Sequence, residues 1–184
     1  MSVATDKIKV KVNAPKAKAS KLGIIHIGAD HGGFYLKEAL VPFLRKLNYE
    51  VIDHGADSYD EYDDYPDYVV PVAKAVYERP HSVKGIIIGG SGQGEAMAAN
   101  QFPNVRATVF YGNKFLRRSD IISLSREHND ANVLSIGARF VTTTEAKKAI
   151  KTWLATPFSE DYKYLRRIKK IEKILREIRL KNHF

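Results

Sequence analysis

The chain has 184 residues, of which 44% are hydrophobic and 28% are charged, a composition typical of one compact domain with a hydrophobic core. It contains no cysteine, which excludes disulfides, thiolate metal sites and a cysteine nucleophile. No apolar run approaches the ~20 residues that span a bilayer, and residues 1–22 lack the apolar stretch of a secretory signal. We therefore expect a cytoplasmic protein without a membrane partner.

The formal net charge of +9 is distributed unevenly along the chain. Residues 1–22 hold six Lys and one Asp, a balance of +5, and residues 161–184 hold nine basic and three acidic residues, a balance of +6. Residues 23–160 hold fifteen basic and seventeen acidic residues, a balance of −2. A nucleic-acid groove needs clustered basic side chains on a folded face, usually with exposed aromatic rings. The central part of the sequence shows no such pattern, so we expect no specific nucleic-acid partner.

Short β-branched runs alternate with helix-like runs from residue 23 onward. The pattern predicts strands at residues 23–28, 50–54, 84–88, 105–110 and 133–136, and helices at residues 34–47, 65–78, 95–100, 113–126 and 144–155. Strands separated by helical segments favour a parallel sheet, because each connection must cross over the sheet. We predict an α/β fold, a doubly wound Rossmann-like five-stranded parallel sheet with helices on both faces and a long C-terminal helix.

Two terminal segments flank this α/β domain, which we assign to residues 23–158. Residues 1–22 are rich in Lys, Ala and Ser and are predicted to form a flexible basic extension. Residues 159–184 contain a predicted helix at Tyr162–Lys181. Its apolar residues recur every three or four positions, at Leu165, Ile168, Ile171, Leu175 and Ile178. Such an amphipathic helix is expected to pack on the domain or on a partner subunit.

Glycines dominate the segment that follows the third predicted strand. Four of the six residues from 89 to 94 are glycine, and Glu95 follows directly. A loop of this kind exposes backbone N–H groups that bind a phosphate or stabilise an oxyanion. The spacing matches neither the dinucleotide fingerprint nor a P-loop, which argues against a nucleotide. A tight turn into a helix accounts for two of these glycines but hardly for four.

Polar residues near the other predicted strand ends each have a plain structural interpretation when taken singly. Asp30 and His31 fit a helix N-cap and its neighbour, and Glu95 fits a first-turn acid favoured by the helix dipole. His128 and Asn129 fit a polar turn before the fifth strand. Their joint occurrence is more specific than any one of them.

Together these segments resemble the ribose-5-phosphate isomerase B / galactose-6-phosphate isomerase family over about residues 22–171. The matching motifs are Gly-Ala-Asp-His-Gly-Gly at 28–33, Asp-Tyr-Pro-Asp-Tyr at 64–68, Gly-Gly-Ser-Gly-Gln-Gly-Glu at 89–95 with Ala-Ala-Asn at 98–100, Arg-Glu-His-Asn-Asp-Ala-Asn-Val-Leu at 126–134, Gly-Ala-Arg at 137–139 and Trp-Leu-Ala-Thr-Pro-Phe at 153–158. Six motifs in the family's order make coincidence an unreasonable explanation.

The resemblance implies an aldose–ketose isomerase that uses a cis-enediolate and needs neither metal nor cofactor. Its implied catalytic residues are Glu95, Asp30, His128 and Ser91. Its implied substrate-binding residues are His31, Tyr65, Gly92, Gly94, Asn129, Arg139, Lys163 and Arg167. Asp30, His128 and Asn129 would serve ring opening and the sugar hydroxyls, while the arginines and His31 would lie toward the phosphate. Ser91 and the neighbouring amides would form the anion hole.

Three departures from the family pattern stand out. Many members carry a cysteine where this chain has Gly89, and this chain resembles the subgroup in which a glutamate, here Glu95, takes the proton. Lys163 and Tyr164 replace the usual Arg-His pair, and a lysine neutralises phosphate without the bidentate fork of arginine. The segment 106–128 is longer than in most members, which is expected to reshape the mouth of the pocket and so the length of sugar that it prefers.

His128 and Asn129 precede the fifth predicted strand, so they belong to the opposite edge of a parallel sheet from Asp30 and Glu95. One subunit cannot easily bring all four into one pocket. A homodimer, possibly a tetramer, with active sites at the interface is therefore expected, as the resemblance also implies. Ribose 5-phosphate is the leading substrate. A six-carbon phosphate such as allose or galactose 6-phosphate, and a catalytically silent sugar-phosphate-binding subunit, remain alternatives.

Overall fold

A computed structural model of the chain describes residues 20–112 and 120–181. Five strands form one sheet in the order β2-β1-β3-β5-β4, and all neighbouring strands pair in parallel. They are β1 Ile24–Ala29, β2 Glu50–Asp53, β3 Val83–Gly89, β4 Ala107–Phe110 and β5 Val133–Gly137. The predicted doubly wound parallel sheet is confirmed.

Six helices connect and follow these strands within the described residues. They are α1 Phe34–Lys46, α2 Tyr65–Glu78, α3 Gln93–Ala99, α4 Ile121–Asn129, α5 Thr143–Ala155 and α6 Tyr162–Lys181. The helix predicted at 113–126 differs most, because α4 begins at Ile121 and extends to Asn129. Asp120 caps its N-terminus by accepting a hydrogen bond from Ile122 N at 3.1 Å. Residues 113–119 of that prediction and residues 1–19 of the predicted extension lie outside the described residues.

The two faces of the sheet bury separate hydrophobic cores. On β3, Ile86 and Ile88 point into one core and Ile87 into the other, as expected from the two-residue period of a strand. The first core is filled by α1, α4 and α5, and it includes the fully buried Trp153. The second is filled mainly by α2, whose Val72 and Val76 are fully buried. Helices cover both faces of the sheet, so the functional residues are expected in the loops at the ends of its strands.

The last helix, α6, lies largely at the surface of the subunit. Tyr164, Ile168 and Leu175 are half-buried along one stripe of the helix. The adjoining apolar side chains are exposed, at Leu165, Ile171, Ile174, Ile178 and Leu180. Among the described residues, no helix has the length and apolar character needed to cross a membrane. A single subunit therefore leaves part of the apolar face of α6 open.

Candidate active site

Strands β1 and β3 lie side by side, and the loops that follow them meet at the carboxyl edge of the sheet. The contact is close, because a Cβ atom added at Gly32 would lie 2.8 Å from the backbone nitrogen of Gly90. From β1 the chain crosses to β2 on one side, and from β3 it crosses through α3 to β4 on the other side of the sheet. Such a switch point of a parallel sheet is where ligands usually bind.

Asp30 lies at this edge directly after β1, with only 7% of its surface exposed. Its Oδ1 accepts a hydrogen bond from the backbone N–H of Gly33 at 3.2 Å. Burial raises the pKa of the Asp30 carboxyl, while the neighbouring His31 opposes that rise. The group is thus a carboxyl in a tight turn, held close to the loop that follows β3.

Glu95 lies in the first turn of α3 and is 4% exposed. Its carboxylate occupies the space beside Gly89, so that a Cβ atom added at Gly89 would collide with Glu95 Oε1. Burial raises the pKa of the Glu95 carboxyl, and the negative charge of Asp30 raises it further. A carboxyl whose pKa is moved toward neutral pH is suited to general base and acid chemistry.

The glycine loop between β3 and α3 is shaped by its neighbours. Gly92 has a φ of 76°, in the left-handed region that favours glycine, and its carbonyl accepts a hydrogen bond from Ser135 Oγ at 2.6 Å. The hydroxyl oxygen of Ser91 accepts a hydrogen bond from Gln93 N at 3.3 Å. Ser91 is exposed in this loop, whereas Glu95 is buried beside it.

Two predicted binding residues border the glycine-rich segment at different positions. The ring of Tyr65, at the start of α2, lies 3.1 Å from where a Cβ atom of Gly94 would be. The Arg139 guanidinium lies 3.1 Å from where a Cβ atom of Gly90 would be. The structure therefore brings the predicted residues of this edge together: Asp30, His31, Tyr65, Ser91, Gly92, Gly94, Glu95 and Arg139.

A further residue of this edge, Asp63, was not predicted from the sequence. Its Oδ1 accepts a hydrogen bond from the backbone N–H of His31 at 2.9 Å and lies 2.7 Å from His31 Nδ1. The hydrogen bond to Asp63 raises the pKa of the His31 imidazole, and the Asp30 charge adds to the rise. The acidic run around it, with Asp60, Glu61 and Asp64, was the only signal in the sequence.

Asp30, His31 and Asp63 are also the one group of potential metal ligands in the described part of the chain, with donor atoms within 4.8 Å of one another. A metal ion would have to replace the proton that His31 Nδ1 shares with Asp63 Oδ1 at 2.7 Å. This distance is that of a charge-assisted hydrogen bond. We therefore interpret the group as a hydrogen-bonded charge cluster and derive no metal chemistry from it.

The remaining predicted residues lie at the other edge of the sheet. His128 and Asn129 form the end of α4, shortly before β5 begins at Val133. The His128 ring stacks on the Tyr164 ring of α6, with centroids 4.2 Å apart. The Lys163 ammonium and the Arg167 guanidinium lie 4.7 and 5.7 Å from the centre of the same tyrosine ring. One subunit thus carries two separate groups of predicted site residues.

Comparison with known proteins shows which family the chain is similar to. The sequence model of the Ribose/Galactose Isomerase family matches residues 25–171. Ribose-5-phosphate isomerase B of Mycolicibacterium paratuberculosis is 37% identical over 144 residues, which cover 78% of this chain and 86% of that protein. A probable ribose-5-phosphate isomerase B of Mycoplasma genitalium is 36% identical over 147 residues, or 80% of this chain and 92% of that protein.

Solved structures give the same result. Ribose-5-phosphate isomerase B of Mycoplasma genitalium with bound ribulose 5-phosphate superposes with a TM-score of 0.79 at 34% identity, covering 85% of this chain and 99% of that one. The Clostridium thermocellum ribose-5-phosphate isomerase B superposes with a TM-score of 0.75 at 39% identity, covering 84% and 99%. The chain therefore belongs to the Ribose/Galactose Isomerase family and is a sugar-phosphate isomerase.

Proposed function

We propose that this isomerase interconverts ribose 5-phosphate and ribulose 5-phosphate, with Glu95 as the group that moves the proton. The observation that carries the proposal is the buried Glu95 carboxylate, which fills the space left by the missing side chain of Gly89. In relatives with a cysteine at that position, a side chain would start from the same space. The carboxylate and the cysteine therefore reach the same part of the pocket, and only the carboxylate is available here.

The reaction balances without a co-reactant. The Glu95 carboxylate removes the proton from C2 of the open-chain aldose, and the electron pair of that C–H bond forms the C1–C2 double bond of a cis-enediolate with the negative charge on O1. A proton then passes from O2 to O1. Glu95 returns its own proton to C1, which leaves the ketone at C2. A base with a raised pKa accepts and returns this proton efficiently near neutral pH.

The negative charge of the enediolate needs hydrogen-bond donors close to the base. Backbone N–H groups of the loop that contains Ser91, Gly92 and Gly94 adjoin Glu95 in the chain, and the glycines leave them unobstructed. Preorganised donors of this kind stabilise the transition state more than they stabilise the ground state. Asp30 and Tyr65, which border the same space, are suited to hold the sugar hydroxyls.

A second copy of the chain is the proposed source of the remaining groups. His128 and Asn129 precede β5 at the opposite edge from Glu95, and Lys163 and Arg167 on α6 surround the Tyr164 ring that stacks on His128. A site that uses both sets therefore takes one set from each subunit of a homodimer. The exposed isoleucines of α6 lie next to Lys163 and Arg167 on the same helix and supply apolar area for such an interface. His128 would then open the sugar ring bound beside the partner's base.

The test is isomerisation of ribose 5-phosphate by wild-type protein and Glu95→Gln, with EDTA present. We expect turnover by the wild type and a loss of at least about a hundredfold in kcat for the variant, the range expected for removal of a general base. Glu78→Gln is the matched control, because Glu78 is an exposed carboxylate at the far end of α2. Its activity should equal that of the wild type.

Other outcomes separate the alternatives. Full activity of Glu95→Gln would leave the reaction standing and remove Glu95 as its base. A wild type that is inert with ribose 5-phosphate and active with allose or galactose 6-phosphate would move the substrate to six carbons. A protein inert with all three, but able to bind them in calorimetry, would be a silent sugar-phosphate-binding subunit.

A further inference from the structure

Asp63 and His31 form a pair that joins two loops at the edge of the candidate site. One carboxylate oxygen, Asp63 Oδ1, contacts both the backbone nitrogen and the ring Nδ1 of His31, at 2.9 and 2.7 Å. The Asp63 side chain is 6% exposed and that of His31 is 30% exposed. A buried anion therefore holds the inner side of a ring whose outer side reaches solvent.

This geometry determines how the ring presents itself to a ligand. An acceptor bonded to Nδ1 keeps the proton on that nitrogen and fixes the orientation of the ring. The nitrogen left for a ligand is Nε2. In the neutral ring Nε2 has no proton to give, whereas in the charged ring it is a proton donor with a positive charge. Only the charged form is suited to bind a phosphate dianion.

The groups around His31 favour the charged form. Asp63 and Asp30 both carry negative charge, and the hydrogen bond to Asp63 is the main reason that the pKa of His31 is raised. The centre of the Tyr59 ring lies 6.4 Å from the centre of the His31 ring, with the two ring planes nearly perpendicular, and it brings no charge. Tyr68 adjoins Asp63 on the other side, where burial and the Asp63 charge raise the pKa of its phenol, so it remains neutral near pH 7.

We propose that Asp63 is a positioning residue for substrate binding: its carboxylate orients His31 and keeps it a charged donor, so that Nε2–H binds the phosphate of the sugar. The proposal rests on the proposed function for the identity of the phosphate compound, but not for the His31–Asp63 pair itself. If the role of Asp63 were merely structural, its carboxylate would connect the loop before α2 to the turn after β1 but would not affect the charge of His31.

The first arm of the test is the NMR titration of the His31 ring in labelled protein, assigned from the signal lost in His31→Gln. We expect wild-type His31 to titrate above 6.5, the ordinary value for histidine, and Asp63→Asn to lower that midpoint by about one pH unit, because the amide keeps an acceptor but loses the charge. Glu61→Gln is the control, since it removes an exposed carboxylate from the same loop. An unchanged midpoint in Asp63→Asn overturns the proposal.

The second arm measures binding and turnover. At pH 8, we expect Asp63→Asn to raise KM for ribose 5-phosphate about tenfold, as for the loss of one charge-assisted hydrogen bond, with kcat changed less than about threefold. At pH 5.5, where a larger fraction of the histidine is charged in both proteins, the two KM values should lie closer together. Equal KM values at pH 8, or a loss confined to kcat, would overturn the role of the charge.

A third arm keeps the test valid if the substrate is another compound. Affinity for inorganic phosphate at pH 8 should fall about tenfold in His31→Gln, and adding Asp63→Asn to that variant should cause no further loss. A further loss in the double variant overturns the proposal. If ribose 5-phosphate is not turned over while the titration and the phosphate affinities behave as expected, the isomerase substrate is wrong and the role of Asp63 stands.

Discussion

At the scale of single residues, the Glu95 carboxylate occupies the space that a side chain at position 89 would fill. The absence of a side chain at Gly89 leaves room for the carboxylate, which is almost fully buried there. Burial makes the carboxylate a stronger base than an exposed glutamate, because water no longer stabilises its charge. The position of the proposed base therefore depends on a residue that has no role of its own in the proposed reaction.

We expect Gly89→Ala to lower kcat about a hundredfold, because a methyl group at this position displaces the Glu95 carboxylate. The measurement is a cycle of Gly89→Ala, Glu95→Gln and the double variant. The double variant should be no less active than Glu95→Gln alone, since both changes remove the same group. If the losses in kcat of the two single variants were additive in the double variant, Gly89 would act independently of Glu95. A thermal melt of each variant verifies folding.

The acidic limb of the pH–rate profile is a second prediction at this scale. Burial and the Asp30 charge raise the pKa of Glu95, so kcat/KM should fall about tenfold per pH unit as the pH drops through that raised value and the base becomes protonated. Asp30→Asn removes the neighbouring charge, and the limb should move to lower pH even though the absolute rate falls. Asp67→Asn, an exposed carboxylate of α2, should leave the limb in place. A limb that Asp30→Asn does not move would contradict the coupling.

At the scale of elements, a pair of histidines joins β1 to the end of β2, with His26 buried and His54 half-buried. His26 Nδ1 on β1 lies 2.8 Å from Nε2 of His54, the residue that follows β2, and the rings stack with centroids 5.1 Å apart. Burial, with the neighbouring His54 and Arg79, lowers the pKa of His26 to about 4. Burial lowers the pKa of His54 as well. Both rings are therefore neutral in the folded protein near pH 7.

This pair should make the protein less stable in mild acid. Because the folded-state pKa of His26 lies below that of the unfolded chain, its stabilising contribution is complete above about pH 6.5 and is lost as the pH falls toward about 4. The loss is on the order of 3 kcal/mol. We expect urea unfolding of His26→Asn to show a flatter dependence on pH across this range than wild type. His81→Asn, at an exposed position, should keep the wild-type slope, and an equally steep slope in His26→Asn would exclude the pair as the cause.

At the scale of the whole molecule, the parallel topology separates the two groups of predicted site residues. Asp30 and Glu95 lie at the carboxyl edge, and His128 with Lys163 and Arg167 at the amino edge, where Tyr164 packs among them. The two groups are separated by the length of a strand, which side-chain movements within one subunit cannot span. The proposed site, which uses both groups, would therefore take them from two copies of the chain.

Complementation between inactive variants tests this dependence. In a homodimer with shared sites, a mixed dimer of Glu95→Gln and His128→Asn has one site with both defects and one with none. Co-expression should then restore about a quarter of wild-type activity, since half of the dimers are mixed and each has one intact site. A mixture of Glu95→Gln and Asp30→Asn should recover nothing, because both residues come from the same edge. No recovery in the first mixture would show that each subunit works alone.

Residue periodicity was sufficient for the fold, because alternating strand and helix runs allow few arrangements other than a doubly wound parallel sheet. It also located the loops of Asp30 and Glu95, since ligands bind where parallel strands end. The predicted helix at 113–126 begins before α4 does for a local reason. The helical pattern of the sequence continues upstream of Asp120, but the Asp120 side chain accepts a hydrogen bond from Ile122 N and caps the helix there. An N-cap residue sets the start of a helix, but within a run of polar residues the helical periodicity does not show which of them is the cap.

The amino-acid sequence by itself determined the α/β class, the glycine-rich loop and the family motifs, because each of these depends on neighbours in the chain. Only the tertiary structure decided that the Glu95 carboxylate fills the space beside Gly89, and that Asp63 bonds His31 across 32 positions of sequence. Both contacts arise where separate loops converge at one edge of the sheet. Spacing along a chain does not specify such distances, since they depend on how strands are ordered and how closely their loops pack.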